Sequence, residues 1–294
     1  MKKMLVSCFI VCVAVCAFAG SEPPKALTEV VTAERTFAET CAHVGIRDSF
    51  LKFFSEDVIT FGPELRRGKS YLQQRQPDSP KSITLWWEPV YGDASAAGDM
   101  GYDTGPSVYT DKDGKKYYGM FFSVWQRQAS GEWRVVVDAG LDTPNPEKEG
   151  HQDFQPARQL DRGVTAHTYD AQSARSSLTE LEQSVAAQAE SEGIGKALRA
   201  HADLNLRLHR DSMFPIMGPT EPQSYLVQHD APYLLEPLQV VVATSGDLAY
   251  AVGRYKKKAG PDEEQEQGYY IRIWQRDAHG QWAIGLDSLL PLKK

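Results

Sequence analysis

Four ionisable positions occur twice in this chain at matching places: Glu34 and Glu182, Asp99 and Asp247, Arg127 and Arg276, Asp138 and Asp287. A carboxylate serves general acid–base chemistry when its surroundings bring its pKa toward the working pH. Asp138 and Glu34 are the candidates for that catalytic role. Asp138 shares strand parity with Arg134, Val136 and Gly140, and Asp287 with Ala283 and Gly285. Each therefore stands on a face with small neighbours that leave room for a cavity. A second outcome is equally open, in which each carboxylate ends its strand in a salt bridge to Arg127 or Arg276. Glu34 and Glu182, at the edge of an apolar helical stripe, invite the same two readings. Asp99 and Asp247 follow Gly at the start of a strand and are read as turn residues.

Other chemistries lack their parts. His201 and His209 flank Asp203, but Leu204, Leu206 and Leu208 alternate between them as in a strand, and zinc needs three or four converging ligands. Asp111-Lys112-Asp113-Gly114 lacks the later acidic positions of a calcium loop and fits a hairpin turn. Gly193-Ile194-Gly195-Lys196 lacks the glycine spacing and the Ser/Thr of a phosphate loop. No metal and no cofactor is expected. The formal charge of −7 carries no basic cluster beyond Lys256-Lys257-Lys258, so nucleic acid is not an expected partner.

The elements that position these residues come in two copies. Trp125-Gln126-Arg127 through Gly131-Glu132-Trp133 matches Trp274-Gln275-Arg276 through Gly280-Gln281-Trp282, each two alternating runs joined by a Gly-containing turn. Upstream, Gly98-Asp99-Met100-Gly101-Tyr102 matches Gly246-Asp247-Leu248-Ala249-Tyr250, and Trp87-Glu88-Pro89 matches Leu235-Glu236-Pro237. The offset is 148 residues as far as Tyr102 and 149 at the Trp hairpin. A period this long is a whole domain, and the chain reads as a tandem duplication.

Within each copy, helical periodicity comes first. Leu27, Val30, Val31, Phe37 and Cys41 mark a helix over 26–44, ended by Gly45. A short helix over 47–54, a strand at 57–61 and a third helix at 68–74 follow. Strands are then expected over 83–91, 98–109, 117–127 and 133–141. The strand at 117–127 is apolar on both parities, with Phe121 and Trp125 on one and Met120, Phe122 and Val124 on the other, so it needs cover on both faces. Residues 142–175 are poor in aliphatics and read as a linker. The pattern resumes at Leu178 with two helices, the second over 195–203, then strands, and Pro261–Gln267 as an acidic hairpin tip.

The run Gly98-Asp99-Met100-Gly101-Tyr102-Asp103-Thr104-Gly105-Pro106, with the Trp125–Asp138 hairpin, resembles the nuclear-transport-factor-2-like superfamily. It is most similar to its bacterial SnoaL-like and ketosteroid-isomerase-like branch of unassigned function. The resemblance implies an α+β fold of two tandem cone-shaped domains, each with three N-terminal helices packed on a curved antiparallel sheet. The domains would span 25–143 and 176–294, joined by a linker at 144–175. Such cones host isomerases, dehydratases, ligand binders and dimerisation modules, so the fold does not choose an activity. A small apolar or aromatic molecule is the expected ligand, with Phe37, Phe61, Trp87, Tyr102, Phe121 and Trp125 lining the first cone. The rival expectations are an isomerase- or dehydratase-type enzyme using Asp138 or Glu34 as general base, and a structural pair without ligand.

Two expectations concern the whole chain. Lys2 and Lys3 precede an apolar run from Met4 to Phe18, and Ala17-Phe18-Ala19 supplies a signal-peptidase site. The run is too short for a membrane span of about 20 residues. Cleavage near Ala19 would give an exported, periplasmic or extracellular protein, remove Cys8, Cys12 and Cys16, and leave Cys41 as a buried thiol. Losing Lys2 and Lys3 takes the formal charge from −7 to −9. The doubly apolar strand, finally, implies that the two sheets cover each other as an internal pseudo-dimer in a monomeric chain.

Overall fold

The structure is a computed structural model that describes residues 24–62, 64–80, 82–147, 151–158, 169–258, 265–277 and 279–292. The expected signal segment at 1–19, with Cys8, Cys12 and Cys16, lies outside these residues, as does most of the expected hairpin tip at Pro261–Gln267. Among the described residues no helix is long and apolar enough to cross a membrane.

The first half begins with α1 (Lys25–Val44), which buries Leu27, Val30, Val31, Glu34, Phe37 and Cys41 along one stripe. Gly45 turns the chain into α2 (Ile46–Phe53) at φ 90, where a Cβ would meet the Asp78 carbonyl oxygen at 2.8 Å, so only glycine fits. Next come β1 (Phe54–Thr60), β2 (Arg66–Arg67), α3 (Ser70–Gln73), β3 (Thr84–Trp87), β4 (Tyr91–Ala94), β5 (Met100–Thr110), β6 (Lys116–Arg127) and β7 (Trp133–Asp142). The single strand expected over 83–91 is thus broken into β3 and β4, both paired with β5. Pro89 has no N–H to give the ladder, and the Glu88 carbonyl presses onto Gly105, where a Cβ would stand 1.8 Å away.

The segment expected to be a linker is partly built into the fold. It carries β8 (Gln155–Pro156), which extends the first sheet beside β4, and the second half starts earlier than expected with α4 (Ala171–Glu192). Asp170 caps that helix by accepting from the Ser173 N–H at 2.7 Å. Then follow α5 (Ile194–Arg199), β9 (Ala202–Arg210), α6 (Glu221–Gln228), β10 (Tyr233–Val242), β11 (Leu248–Lys257), β12 (Gln267–Arg276) and β13 (Trp282–Pro291). The helix expected over 195–203 stops at Arg199, because β13 captures Ala202 onward as its parallel neighbour.

The sheets run in the orders β2-β1-β7-β6-β5-β4-β8 and β10-β11-β12-β13-β9. Each is antiparallel apart from one parallel pair at its core end, β1 with β7 and β9 with β13, and in the first sheet β4 with β8 at the edge. The outer faces meet. Tyr102, Phe122 and Val124 of the first sheet share one buried cluster with Tyr250, Ile271 and Ile273 of the second. Phe61 packs on Tyr269, ring centroids 5.5 Å apart, and the Arg207 guanidinium lies 3.9 Å from the Tyr91 ring centre. Two turns exchange equivalent hydrogen bonds: the Ala96 N–H donates to Asp247 at 3.1 Å, and the Thr244 N–H donates to Asp99 at 2.9 Å. Residue i of one half meets the counterpart of j in the other, as across a two-fold axis. Asp99 and Asp247 therefore tie the halves together as well as sitting in turns. Arg158, from the supposed linker, pairs with buried Asp93 and reaches Asp247 at 3.3 Å.

Candidate functional site

Cross-strand register sets a row of side chains on the helix-facing side of the first sheet. Asp103 on β5 stands opposite Ser123 on β6, Ser123 opposite Asp138 on β7, and Asp138 opposite Thr60 on β1. This is one unbroken polar line across four strands in an otherwise aromatic cone. Asp103 and Ser123 are buried, at 0 % and 1 % exposure. Both Asp103 oxygens, Ser123 Oγ and Thr60 Oγ1 lack a hydrogen-bond partner of normal geometry among the described residues, although Asp103 and Ser123 both face Glu34. Buried polar atoms are nearly always paired, so four orphans in one line mark a place where something else is meant to bind or a proton is shared.

Glu34 of α1 faces this row and is fully buried. Trp87 Nε1 donates to its Oε1 at 2.6 Å and Trp125 Nε1 to its Oε2 at 2.8 Å. Burial raises its pKa, while Asp103, the two indoles and Ser123 oppose that rise. A carboxylate clamped at both oxygens anchors the cone and is poorly placed to take a proton from a substrate. Asp103 is pushed well above the ordinary range, first by burial and then by the neighbouring Glu34 charge. A proton on Asp103 turns its contact with Glu34 from repulsion into a hydrogen bond. Asp138 is also pushed well above the ordinary range, by burial and then by Glu34. Protein surrounds it, yet it keeps partial solvent contact, and it makes no hydrogen bond or ion pair among the described residues. Arg127, its proposed partner, pairs instead with Glu29.

The raised pKa of Asp103 gives a stability test. Its folded pKa lies above its unfolded value, so the stabilisation it contributes is complete below about pH 4 and is lost as pH rises toward the folded pKa, at up to about 1.4 kcal/mol per pH unit. Asp103→Asn keeps a donor toward Glu34 and cannot ionise. Its stability relative to wild type, from urea midpoints, should increase between pH 5 and pH 8, and a flat difference would show Asp103 to be ionised.

The aromatic residues divide between the two faces. Phe37, Trp87, Phe121 and Trp125 pack together in the cone. Phe37 meets Trp87 edge-on at 4.9 Å, with Phe53 stacked on it at 4.8 Å. The floor of the cone is therefore filled. Phe61 and Tyr102 do not line it: strand parity turns both to the outer face, against the second sheet. The expectation for these two residues fails because composition does not reveal parity once a strand is apolar on both faces. Trp86 likewise points outward and is exposed.

The second cone carries the same row with different residues: Ala251, Arg272, Asp287 and Leu208. Arg272, fully buried, donates through Nη1 to Glu182 at 3.0 Å and through Nε to Asp287 at 3.0 Å. Arg210 Nη2 donates to the other Asp287 oxygen at 2.8 Å. Trp274 and Tyr270 complete the shell around Glu182. Here every carboxylate is neutralised from within. Around Asp138 the corresponding positions are small: Ser123 for Arg272, Gly62 for Arg210 and Gly140 for Leu289. Gly140 is exposed, and a Cβ there would meet only the Met120 carbonyl oxygen, at 3.9 Å.

A cleft of about 720 Å³ opens at the mouth of the second cone, lined by Arg210, Tyr225, His229, Tyr233, Lys257 and Leu289 among others. Another of about 530 Å³ lies between α4 and β10, with Arg67 at its edge. Neither reaches Asp138. Among the described residues no group of three or more His, Cys, Asp or Glu is arranged to hold a metal ion. His209 is buried and pushed down to about 3 by burial and by Arg207 and Arg210, which keeps it neutral. Asp103, Ser123 and Thr60 escaped the sequence reading. The signal for Ser123 was present, since the matching position of the second half carries arginine.

No protein-family model and no curated protein matches the chain. Solved structures do. A ketosteroid isomerase-like protein from Erwinia carotovora atroseptica is 14 % identical, with a TM-score of 0.34, over 42 % of this chain and 98 % of its own. An NTF2-like protein of unknown function from Pseudomonas putida is 16 % identical, TM-score 0.34, over 41 % and 87 %. The association domain of C. elegans CaMKII is 11 % identical, TM-score 0.32, over 39 % and 93 %. Each likeness spans about two-fifths of a chain whose fold is α+β, with helices on large curved sheets.

Proposed function

We propose that this is an exported tandem pair of nuclear-transport-factor-2-like domains of the bacterial SnoaL-like type, in which only the first cone binds a small molecule. The second acts as its covalent dimer partner. The observation that carries this division is the contrast between Asp138, which lacks a partner, and Asp287, which two arginines hold. The ligand's polar head meets Asp138 at the open end of the cone beside Gly140. Its apolar body rests on the aromatic rim formed by Phe121 and its neighbours. Trp and Phe fill the floor, so the body of the molecule lodges at the mouth and only its polar head reaches inward, as far as Ser123 beside Asp138.

A second reading is favoured by one observation. A carboxyl without partners and with a raised pKa is suited to proton transfer, and Asp138, rather than the clamped Glu34, would serve an isomerase or dehydratase reaction. The test for either is a thermal-shift screen of small metabolites on the full chain and on Asp138→Asn. At least one compound should raise the melting temperature of the wild type and leave the variant unmoved. A screen in which every stabilising compound acts equally on both proteins would exclude the first cone as the site.

A further inference from the structure

We infer that the ligand head accepted by the first cone is a planar cation, an amidinium or guanidinium, seated where the second cone places its own arginine groups. The inference rests on the binding role assigned above to Asp138 and goes on to name the chemistry of the ligand.

The second cone shows what the site holds. Around Asp287, one guanidinium donates through Nε at 3.0 Å and another through Nη2 at 2.8 Å. The Arg272 guanidinium carbon also lies 4.8 Å from the Tyr270 ring centre and 6.0 Å from that of Trp274, so the cation sits between carboxylates and aromatic faces. The first cone keeps the carboxylates and an aromatic wall, and no cation pairs with Asp138; the Arg66 guanidinium, 3.1 Å from where a Cβ on Gly62 would stand, lies over the Tyr71 ring. Glu34 and Asp138 stand at the positions of Glu182 and Asp287, and Phe121 and Trp125 at those of Tyr270 and Trp274. Ser123 and Gly62 replace the two arginines, and Gly140 replaces Leu289 at the mouth.

Independent of this correspondence, Ser123 Oγ and both Asp103 oxygens, all nine-tenths or more buried, have no partner in the row that contains Asp138. No cationic group of the described residues lowers the pKa of Asp138; burial and Glu34 both raise it. Trp87 does take over one of the arginine's tasks, since its indole N–H serves Glu34. That substitution satisfies Glu34 alone and leaves Asp138 unserved. A neutral acceptor head brings no N–H donor to Asp138, and an anion would be repelled by Glu34. A planar cation gives Asp138 paired N–H···O contacts and stabilises its ionised form.

The test uses benzamidine and its neutral isostere benzamide on the full chain, by isothermal titration at pH 5 and pH 8. Benzamidine should bind at least about tenfold more tightly than benzamide at pH 8, and Asp138→Asn should remove that preference. Its affinity should rise from pH 5 to pH 8, because Asp138 must lose its proton to pair. Ser123→Arg, which installs the second cone's cation, should abolish binding. Equal, Asp138-dependent binding of both compounds would overturn the cation and leave the pocket standing. Benzamidine binding that Asp138→Asn does not weaken would overturn both. No binding of benzamidine, while the screen yields another Asp138-dependent ligand, would overturn the cation alone.

Discussion

Arg272→Ala should cost the protein about 3–5 kcal/mol, the usual penalty for removing one partner of a buried ion pair. The size follows from what stays behind. Glu182 and Asp287 are both buried, and Arg272 is the cation that joins them. Without it, Asp287 keeps Arg210, but Glu182 retains only the Trp274 and Tyr270 donors. Against a total stability of about 5–15 kcal/mol for a domain, this removes most of the margin at the low end of that range and about a quarter of it at the high end. Arg272→Met combined with Glu182→Gln should recover much of the loss, since replacing both partners by neutral groups of similar shape leaves no buried charge bare. Ser123→Ala, at the equivalent place in the first half, should shift stability by about 1 kcal/mol or less, because Ser123 Oγ makes no hydrogen bond there to lose. Urea unfolding of the three variants measures all of this. An Arg272→Ala protein as stable as wild type would mean that the second cone is not held by its ion pairs.

Cutting the chain between the halves should have a still larger effect. A fragment of residues 24–158 keeps its cone core but bares Tyr102, Phe122, Val124, Val137 and Ala139, which are buried against the second sheet in the whole chain. Each large apolar side chain returned to water forfeits about 1.5–3 kcal/mol. Arg158 also loses Asp247, and the Asp99 carboxylate loses the Thr244 N–H. The fragment should therefore dimerise through this face or aggregate, while the intact chain runs as a monomer. Light scattering of both proteins decides it. A fragment that stays monomeric and as stable as the full chain would show that the outer sheet face is not what holds the halves.

How much of this was written in the sequence depends on the range of the interaction concerned. Helical spacing over one turn is local, so Leu27, Val30, Phe37 and Cys41 declared α1, and Gly45 its end, without reference to anything distant. The Trp-to-Trp hairpins declared themselves twice for the same reason, and their recurrence led to the expectation of two similar halves. The two apolar parities of residues 117–127 even required a second layer. Three things were not local. Which parity faces which layer is settled only when helices and the second sheet are both in place, and this sent Phe61 and Tyr102 outward while Phe37, Trp87, Phe121 and Trp125 stayed in the cone. Pro89 and the close approach of Glu88 to Gly105 split a strand that composition alone would have kept whole. The polar row is the plainest case. Asp103, Ser123, Asp138 and Thr60 lie far apart along the chain, and antiparallel and parallel register make them neighbours. Sequence supplied the carboxylates of Glu34 and Asp138, but burial and distance decide charge. Only the folded chain clamps Glu34 between two indoles, leaves Asp138 without a partner, and gives Asp287 two.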